Sequence, residues 1–199
     1  MDVVIEEIAN SQDVTAMLQV WQQVFEREMG ITLPQDSAPG NISYWLARLK
    51  HSREAVGTLS VVDTSGQYQL HDSLGLSFDR QARVARFTHL AVLNPFRGMN
   101  IPLAMMLEAH RSVIVPGQFD HTWLLFDVEK AARSFLARQL RFTLLPQTFV
   151  SEYGCRCPLV RNERTPEAER AIRQAGSYLE RYNVGVFSRA AHPPLALST

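Results

Sequence analysis

The loop at residues 94–100 has the composition of an anion-binding loop. It follows an apolar segment that favours a β-strand and precedes an apolar segment that favours a helix. A helix that begins directly after such a loop leaves its first backbone N–H groups unbonded, and its dipole favours negative charge. The sequence therefore predicts a site for a phosphate or pyrophosphate. Its candidate residues are consecutive: Arg97, Gly98, Met99, Asn100 and Ile101.

Two side chains near this loop are candidates for the transfer of a proton. His89 lies in the strand before the loop, and histidine titrates near neutral pH. Glu28 lies at the end of the first predicted helix. A histidine within a strand is more often only hydrogen-bonded in the core. Glu26, Glu108 and an ordered water therefore stay open as alternatives for the base.

The predicted strands and helices alternate along the chain, and this order would place the loop and the two candidate bases at one sheet. Apolar and β-branched segments predict strands at 3–8, 54–62, 83–93 and 121–128, with 67–71 as a hairpin partner and late strands at 142–150 and 158–160. Helical spacing predicts helices from a cap at Ser11 to Gly30, at 101–113, at 129–140 and after Thr165. Residues 44–49 are expected to be helical or irregular, and 192–199 to form a loose tail. The order predicts a mixed α/β chain around one sheet.

Composition excludes several classes of protein. The chain has 199 residues, 46% of them hydrophobic, which favours one globular domain. Its 20 basic and 20 acidic residues cancel, so a dedicated nucleic-acid binder is disfavoured. The sequence has no apolar run long enough for a membrane span and no secretory signal, so we expect a soluble, cytoplasmic protein. Two cysteines in a C-x-C, and histidines without metal-ligand spacing, predict neither a disulfide scaffold nor a metal site.

The loop resembles the acyl-CoA loop of the GCN5-related N-acyltransferases. The usual pattern of that family is Arg/Gln-x-x-Gly-x-Gly/Ala, and Arg97 and Gly98 fit it. Asn100 stands at the first motif glycine, and asparagine tolerates a positive φ better than most residues. Pro102 stands at the second small position and is compatible with a first helical turn. Downstream, Ala132-x-x-Phe135-Leu136-x-x-x-Leu140-Arg141-Phe142 resembles the family segment that runs alongside the thioester cofactor.

Further residues resemble one branch of that family, the acyl-homoserine-lactone synthases. They are Val24-Phe25-x-x-Glu28, residues 55–59 and residues 87–92. However, Arg86 and His89 stand where those enzymes carry Glu and Arg, and Trp21 stands where they carry Arg. These departures disfavour lactone synthesis. The sequence is then most similar to the long-chain N-acyl amino acid synthases, which share that scaffold.

The resemblance implies a GNAT-like fold, with a single mostly antiparallel sheet flanked by helices. Residues 1–162 would form the acyltransferase domain, and 163–199 a helical extension packed on it. The implied reaction joins a long-chain fatty acyl group to the α-amine of an amino acid. The acyl group would arrive on phosphopantetheine, as acyl-CoA or on an acidic acyl carrier protein, without a permanently bound cofactor. Basic residues that could face such a carrier are Arg97, Arg111, Lys130, Arg133, Arg138 and Arg141.

The resemblance also assigns roles to single residues. The backbone N–H at Leu93 would polarise the thioester carbonyl, and an apolar tunnel would hold the acyl chain. The candidate tunnel residues are Met105, Met106, Leu124, Phe126 and Phe135. Two alternatives remain open: an N-acetyltransferase that uses acetyl-CoA, and a module that binds carrier protein or acyl ligand without turnover.

Overall fold

A single sheet with helices on both faces forms the centre of the computed structural model, which describes residues 2–31, 41–131, 133–151, 154–181 and 186–188. The described strands are β1 Val3–Glu7, β2 Ile42–Leu49, β3 Ala55–Asp63, β4 Val84–Val92, β5 His121–Asp127, β6 Thr143–Leu144, β7 Phe149–Ser151, β8 Gly154–Asn162 and β9 Val186–Ser188. Their order is β6-β8-β5-β4-β3-β2-β1-β9, and β7 also pairs with β8. Among these strands only the β1–β9 and β4–β5 pairings are parallel. The expected mostly antiparallel sheet is therefore confirmed.

The described helices pack on both faces of this sheet. They are α1 Ser11–Trp21, α2 Tyr68–Ser73, α3 Ile101–Ala109, α4 Val128–Ala131, α5 Phe135–Gln139 and α6 Pro166–Arg181. Two of them continue as π-helix: α1 through Gln22–Glu28 and α3 through His110–Ile114. No described helix has the length and apolar character that crossing a membrane requires.

Two core clusters define the faces of the sheet. The larger cluster contains α3, part of α6 and alternate residues of the strands, such as Trp45, Val61 and Phe87. The second cluster lies under α1 and includes Trp21 and Leu46. Because neighbouring strand residues point to opposite faces, each central strand contributes to both sides of the sheet.

Three of the predicted elements are wrong. Residues 44–49 belong to strand β2, where Trp45, Leu46 and Ala47 are all buried. Both faces of this strand are covered by helices, so its sequence lacks the polar alternation of a half-exposed strand. The expected hairpin partner at 67–71 is instead helix α2, which packs beside the start of β4.

The predicted helix at 129–140 is divided into α4 and α5. Ser134 has an extended backbone, and its side chain accepts a hydrogen bond from Ala137 N at 3.2 Å. This is an N-cap, so Ser134 starts a new helix rather than continuing the first. The first helix also begins differently, because Asn10 and not Ser11 caps it, by accepting from Asp13 N at 3.0 Å. The expected tail at 192–199 lies outside the described residues.

The buried His71 of α2 makes the stability of the fold sensitive to acid. Its ring is buried, Nε2 lies 3.2 Å from Thr64 Oγ1, and the ring meets Phe78 edge to face. Burial lowers the pKa of His71, and attraction to Asp72 only partly opposes this effect. The unfolded chain therefore takes up the proton first. The stabilisation is complete above the ordinary histidine pKa of about 6.5 and is lost as the pH falls through the folded value.

Urea unfolding at about pH 7.5 and about pH 5.5 tests this expectation. We expect His71→Gln to reduce the loss of unfolding free energy between the two pH values. His51→Gln is the control, because His51 lies in an exposed turn. An equal loss in wild type and His71→Gln would contradict the assignment.

Candidate functional site

Strands β4 and β5 separate halfway along their length. Their pairing covers only three residues of β4, from Val84 opposite His121 to Arg86 opposite Trp123. Strand β4 nevertheless continues to Val92, and β5 continues to Asp127. Beyond Arg86 the two strands therefore leave a cleft in the sheet, with unpaired strand edges on both sides.

A β-bulge lies where the cleft opens. Thr58 pairs with Ala91 and Ser60 with Thr88, so one residue of β3 faces two residues of β4. Within the bulge His89 has a φ of +50°, and its carbonyl accepts a hydrogen bond from Thr58 Oγ1 at 2.9 Å. The same hydroxyl accepts from Trp21 Nε1 at 3.0 Å. The first helix and β3 together hold the bulge in place.

The loop between β4 and α3 has the left-handed residues that the motif predicts. Gly98 has a φ of +85°, and Asn100, directly before α3, has a φ of +59°. Asn100 thus takes the conformation expected of the glycine that it replaces, and its carbonyl accepts from Ala104 N at 3.0 Å. Pro102 lies in the first turn of α3, where it removes an N–H that the helix would not have used. The other N–H groups of the first turn remain for an anion.

The left-handed conformation of Asn100 predicts the effect of two substitutions. We expect Asn100→Ala to lower the free energy of unfolding by about 1–2 kcal/mol, because alanine is strained at positive φ. Asn100→Gly should stay within about 0.5 kcal/mol of wild type. Urea unfolding measures both values. A loss of the same size in both variants would show that backbone strain is not the cause.

Arg97 and Glu28 form an ion pair that changes the roles predicted for both. The guanidinium bonds Glu28 Oε2 through one terminal nitrogen, and its Nε donates to Val92 O at 3.0 Å. Arg97 therefore extends back across the end of β4 to the first helix, which leaves the loop amides as the main anion donors. Since Glu28 already balances a guanidinium, it is a poorer choice of base than the sequence predicts.

The prediction that the Leu93 N–H polarises the thioester carbonyl is wrong. Leu93 N donates to Val56 O at 3.0 Å, so it is used within the sheet. Successive N–H groups of a strand point to opposite sides. The neighbouring N–H, that of Val92, thus points away from β3 and towards the cleft. Val92 O agrees with this direction, because it bonds Arg97 rather than β3.

His89 lies at the cleft, on the α1 side of the bulge. Its ring centroid is 4.5 Å from the ring of Trp21, and Nδ1 lies 3.3 Å from Ser60 Oγ. The side chain is half-buried, whereas Ser60 is fully buried. Ser60 and Trp21 therefore hold the imidazole against β3 and the first helix, on the α1 face of the sheet.

The residues predicted to line an acyl tunnel divide into two groups. Met105, Met106 and Leu124 are buried in the main core cluster. Phe126 is half-buried near the end of β5 and packs against that cluster, whereas Phe135 is 37% exposed, with its ring tilted 5.2 Å from the ring of Tyr178. The structure does not bring all five to one wall of the cleft.

A polar row on the α1 face was not predicted from the sequence. It contains Thr58 and Ser60 of β3 and Arg86 and Thr88 of β4, and Ser60 pairs with Thr88 across the two strands. The i, i+2 spacing of polar residues within otherwise apolar strands is the signal that marks this row. Among the described residues, no group of His, Cys, Asp and Glu side chains could hold a metal ion.

Two cavities lie outside the cleft. One, of about 750 Å³, lies between α5 and α6 and includes Gln139 and Tyr178. The other, of about 570 Å³, follows the first helix and includes Arg27 and Leu93. Neither is lined by His89 or by a residue of β5, so the candidate site is the cleft itself.

Comparisons with known proteins identify the fold. No family model matches the sequence, and no curated protein matches it. Many solved structures match over most of the chain, and three illustrate the range. The CoA-dependent acyl-homoserine lactone synthase BjaI, solved with SAM and isopentyl-CoA, is 15% identical with a TM-score of 0.67, covering 97% of this chain and 95% of that one.

Two further structures also match over most of this chain. FeeM, an N-acyl amino acid synthase from uncultured soil microbes, is 10% identical with a TM-score of 0.63, covering 84% of this chain and 97% of that one. ElaA of Escherichia coli is 12% identical with a TM-score of 0.60, covering 80% of this chain and 99% of that one. Because the sequence identities are only 10–15%, the structural similarity shows that the fold is shared. The expectation from the sequence is confirmed: this chain has the fold of the GCN5-related N-acyltransferases.

Proposed function

We propose that this protein is an N-acyltransferase that moves a fatty acyl group from a phosphopantetheine thioester to the α-amine of an amino acid. The observation that carries the proposal is the cleft between β4 and β5, with an anion-binding helix start at its end. A phosphopantetheine arm is long and thin and ends in a phosphate. Such a cofactor suits a cleft that runs along a free strand edge to the loop at Gly98.

The residues at the cleft support a simple reaction. The Val92 N–H would donate to the thioester carbonyl oxygen and stabilise its developing negative charge. The amine nitrogen would form a bond to the carbonyl carbon as the carbon–sulfur bond breaks. His89 would accept the proton that the amine loses, and the thiolate would leave and take up a proton. Because the thioester is already activated, positioning supplies much of the rate.

An acidic acyl carrier protein is the donor that the surface around α5 favours. Arg133, Arg138 and Arg141 are exposed, and none of them has an ion-pair partner among the described residues. Complementary charge speeds encounter with an acidic protein and fixes its orientation. We therefore propose that the carrier approaches from the side of α5.

The test is thiol release and amide formation by purified protein with several donors. Donors of two-carbon to sixteen-carbon chain length would be offered on CoA and on carrier protein, with a panel of amino acids. The proposal expects the highest rate with a long-chain donor on carrier protein. Binding of donor without any new amide would instead favour the non-catalytic module.

A second candidate function is acetyl transfer from acetyl-CoA. The observation that favours it is the burial of Met105 and Met106, at 0% and 2% exposure, which closes the core behind the cleft. A closed core suits a short acyl group better than a long one. A rate that falls steadily as the donor chain lengthens would select this candidate.

A further inference from the structure

The Arg97–Glu28 ion pair lies directly beside the loop that would hold the donor phosphate. Arg97 Nε donates to Val92 O at 3.0 Å, and a terminal nitrogen bonds Glu28 Oε2. Acceptors from two different elements therefore fix the guanidinium at the end of β4. Because Gly98 is the next residue, at most one side chain and one peptide unit, about 10 Å together, separate the guanidinium from it. The pair is thus close enough to act on a phosphate bound there.

This pair contributes no net charge to the phosphate site. The charge of Arg97 would attract an anion, but the Glu28 carboxylate opposes that attraction at hydrogen-bond distance. The neighbouring Arg27 points elsewhere, because it donates to Gln23 Oε1 at 3.4 Å along its own helix. Among the described residues, Glu28 forms an ion pair only with Arg97. The state of Arg97 therefore depends on Glu28.

The backbone of the loop also offers a limited number of donors. Pro102, in the first turn of α3, has no N–H, and Ala104 N already donates to Asn100 O at 3.0 Å. A phosphate would then be held by a few uncharged N–H groups beside a neutralised arginine. Such a site suits an anion with one negative charge, because each further charge would lack a positive partner.

The two candidate donors differ in the charge that they bring to this loop. On a carrier protein the phosphopantetheine phosphate is a diester with a single negative charge. CoA carries a pyrophosphate and a phosphate monoester, about four negative charges in all. We propose that Glu28, by neutralising Arg97, adapts the loop to the singly charged phosphodiester and so selects carrier-bound donors over CoA. The inference rests on the acyl transfer proposed above. Glu28 is then a specificity-determining residue that acts through Arg97.

Glu28→Gln tests this role, because the amide keeps the shape of the side chain and removes its charge. Isothermal titration at about 0.1 M salt would measure the Kd for three ligands: CoA, carrier protein with its phosphopantetheine arm, and pantetheine without a phosphate. We expect the Kd for CoA to fall by about 10-fold and the Kd for the carrier by less than about 3-fold, since the attraction of the released guanidinium grows with the charge of the ligand. The Kd for pantetheine should not change. In about 1 M salt the gain for CoA should disappear.

Asp63→Asn is the matched control for loss of a carboxylate from a half-exposed ion pair. Asp63 pairs with Arg83 at 3.2 Å, and the two side chains are 24% and 48% exposed, against 22% and 46% for Glu28 and Arg97. Arg83 precedes the start of β4, about 30 Å along the strand from Val92. All three Kd values should therefore equal those of wild type.

The double variant Glu28→Gln/Arg97→Gln shows whether Glu28 acts through Arg97. Arg97→Gln alone leaves the carboxylate without its partner beside the phosphate site, so the Kd for CoA should rise by about 10-fold. Loss of both charges should return the Kd to within about 3-fold of wild type. A double variant that binds CoA as tightly as Glu28→Gln would contradict a role exerted through Arg97.

The outcomes separate this inference from the proposed function. Absence of donor binding and of acylation with wild type would overturn the proposed function. Faster turnover of a long-chain acyl group on CoA than on carrier protein would leave acyl transfer intact and overturn the role of Glu28. Equal changes in the Kd for CoA and for pantetheine in Glu28→Gln would also overturn it, as would a gain for CoA that persists in 1 M salt.

Discussion

Gly98→Asp is expected to abolish binding of the phosphopantetheine donor. The substitution places a carboxylate beside the backbone N–H groups that would hold the phosphate. Gly98 is exposed, and like charges about 4 Å apart near a protein surface repel by up to about 4 kcal/mol, so we expect the Kd for CoA to rise by about 100-fold. Isothermal titration of the purified protein with CoA measures this value.

The surroundings of Gly98 allow a control substitution that separates charge from backbone conformation. A Cβ at Gly98 would meet nothing within 4 Å, so the space around it is open. The remaining cost is the φ of +85°, which asparagine and aspartate share. Gly98→Asn should therefore bind CoA within a few-fold of wild type. Equal weakening by Asn and Asp would show that backbone conformation, and not phosphate repulsion, is responsible.

Glu163→Gln is expected to produce the largest loss of stability. Glu163 is buried and accepts hydrogen bonds from three side chains: His110 Nε2 at 3.1 Å, Arg161 Nε at 2.8 Å, and the Thr122 hydroxyl. Burial alone would raise its pKa, but the bond from His110, the charge of Arg161 and the bond from Thr122 lower it overall. The carboxylate therefore joins the end of α3, the start of β5 and the end of β8.

Removal of this carboxylate leaves the buried Arg161 without its counter-charge. Breaking a buried ion pair on one side costs about 3–5 kcal/mol, which corresponds to a fall in Tm of about 10 °C for a chain of this size. Calorimetry measures the change. Glu169→Gln is the control, because the Glu169–Arg173 pair is exposed and surface pairs contribute less than about 1 kcal/mol. A similar Tm for both variants would contradict the account.

Acid is expected to lower the contribution of Glu163 to the free energy of unfolding, as it does for His71. Because the folded protein lowers the pKa of this carboxyl, its stabilising contribution is present above the unfolded value, about 4.3, and is lost as the pH falls through the folded value. The two residues act in different pH ranges, so acid should weaken the protein in two steps.

Local sequence patterns were sufficient to predict the loop at residues 94–100, which would bind the acyl donor. Arg97, Gly98 and Asn100 stand in a short sequence between a strand and a helix, and backbone conformation there depends mainly on neighbouring residues. The left-handed φ of Asn100 follows directly from the tolerance of asparagine for that region. The strands β3, β4 and β5 were equally clear, because their apolar and β-branched residues are continuous.

Features that depend on distant residues were not predictable in this way. The second strand was missed because Trp45 and Leu46 are buried by helices on opposite faces, which removes the alternating pattern. The pairing of Glu28 with Arg97 joins residues 69 positions apart. The orientation of the Leu93 N–H depends on the bulge at His89, which shifts every later residue of β4 by one position.

The most direct test of the account is a mass spectrum of organic extracts from bacteria that express the protein. Extracts from cells expressing wild type would be compared with extracts from cells expressing Gly98→Asp and with an empty-vector control. The account predicts new ions with wild type, at the mass of a fatty acid plus an amino acid minus water, and their absence from both controls. Equal amounts of those ions with wild type and Gly98→Asp would contradict the claim that the cleft and its loop carry the reaction.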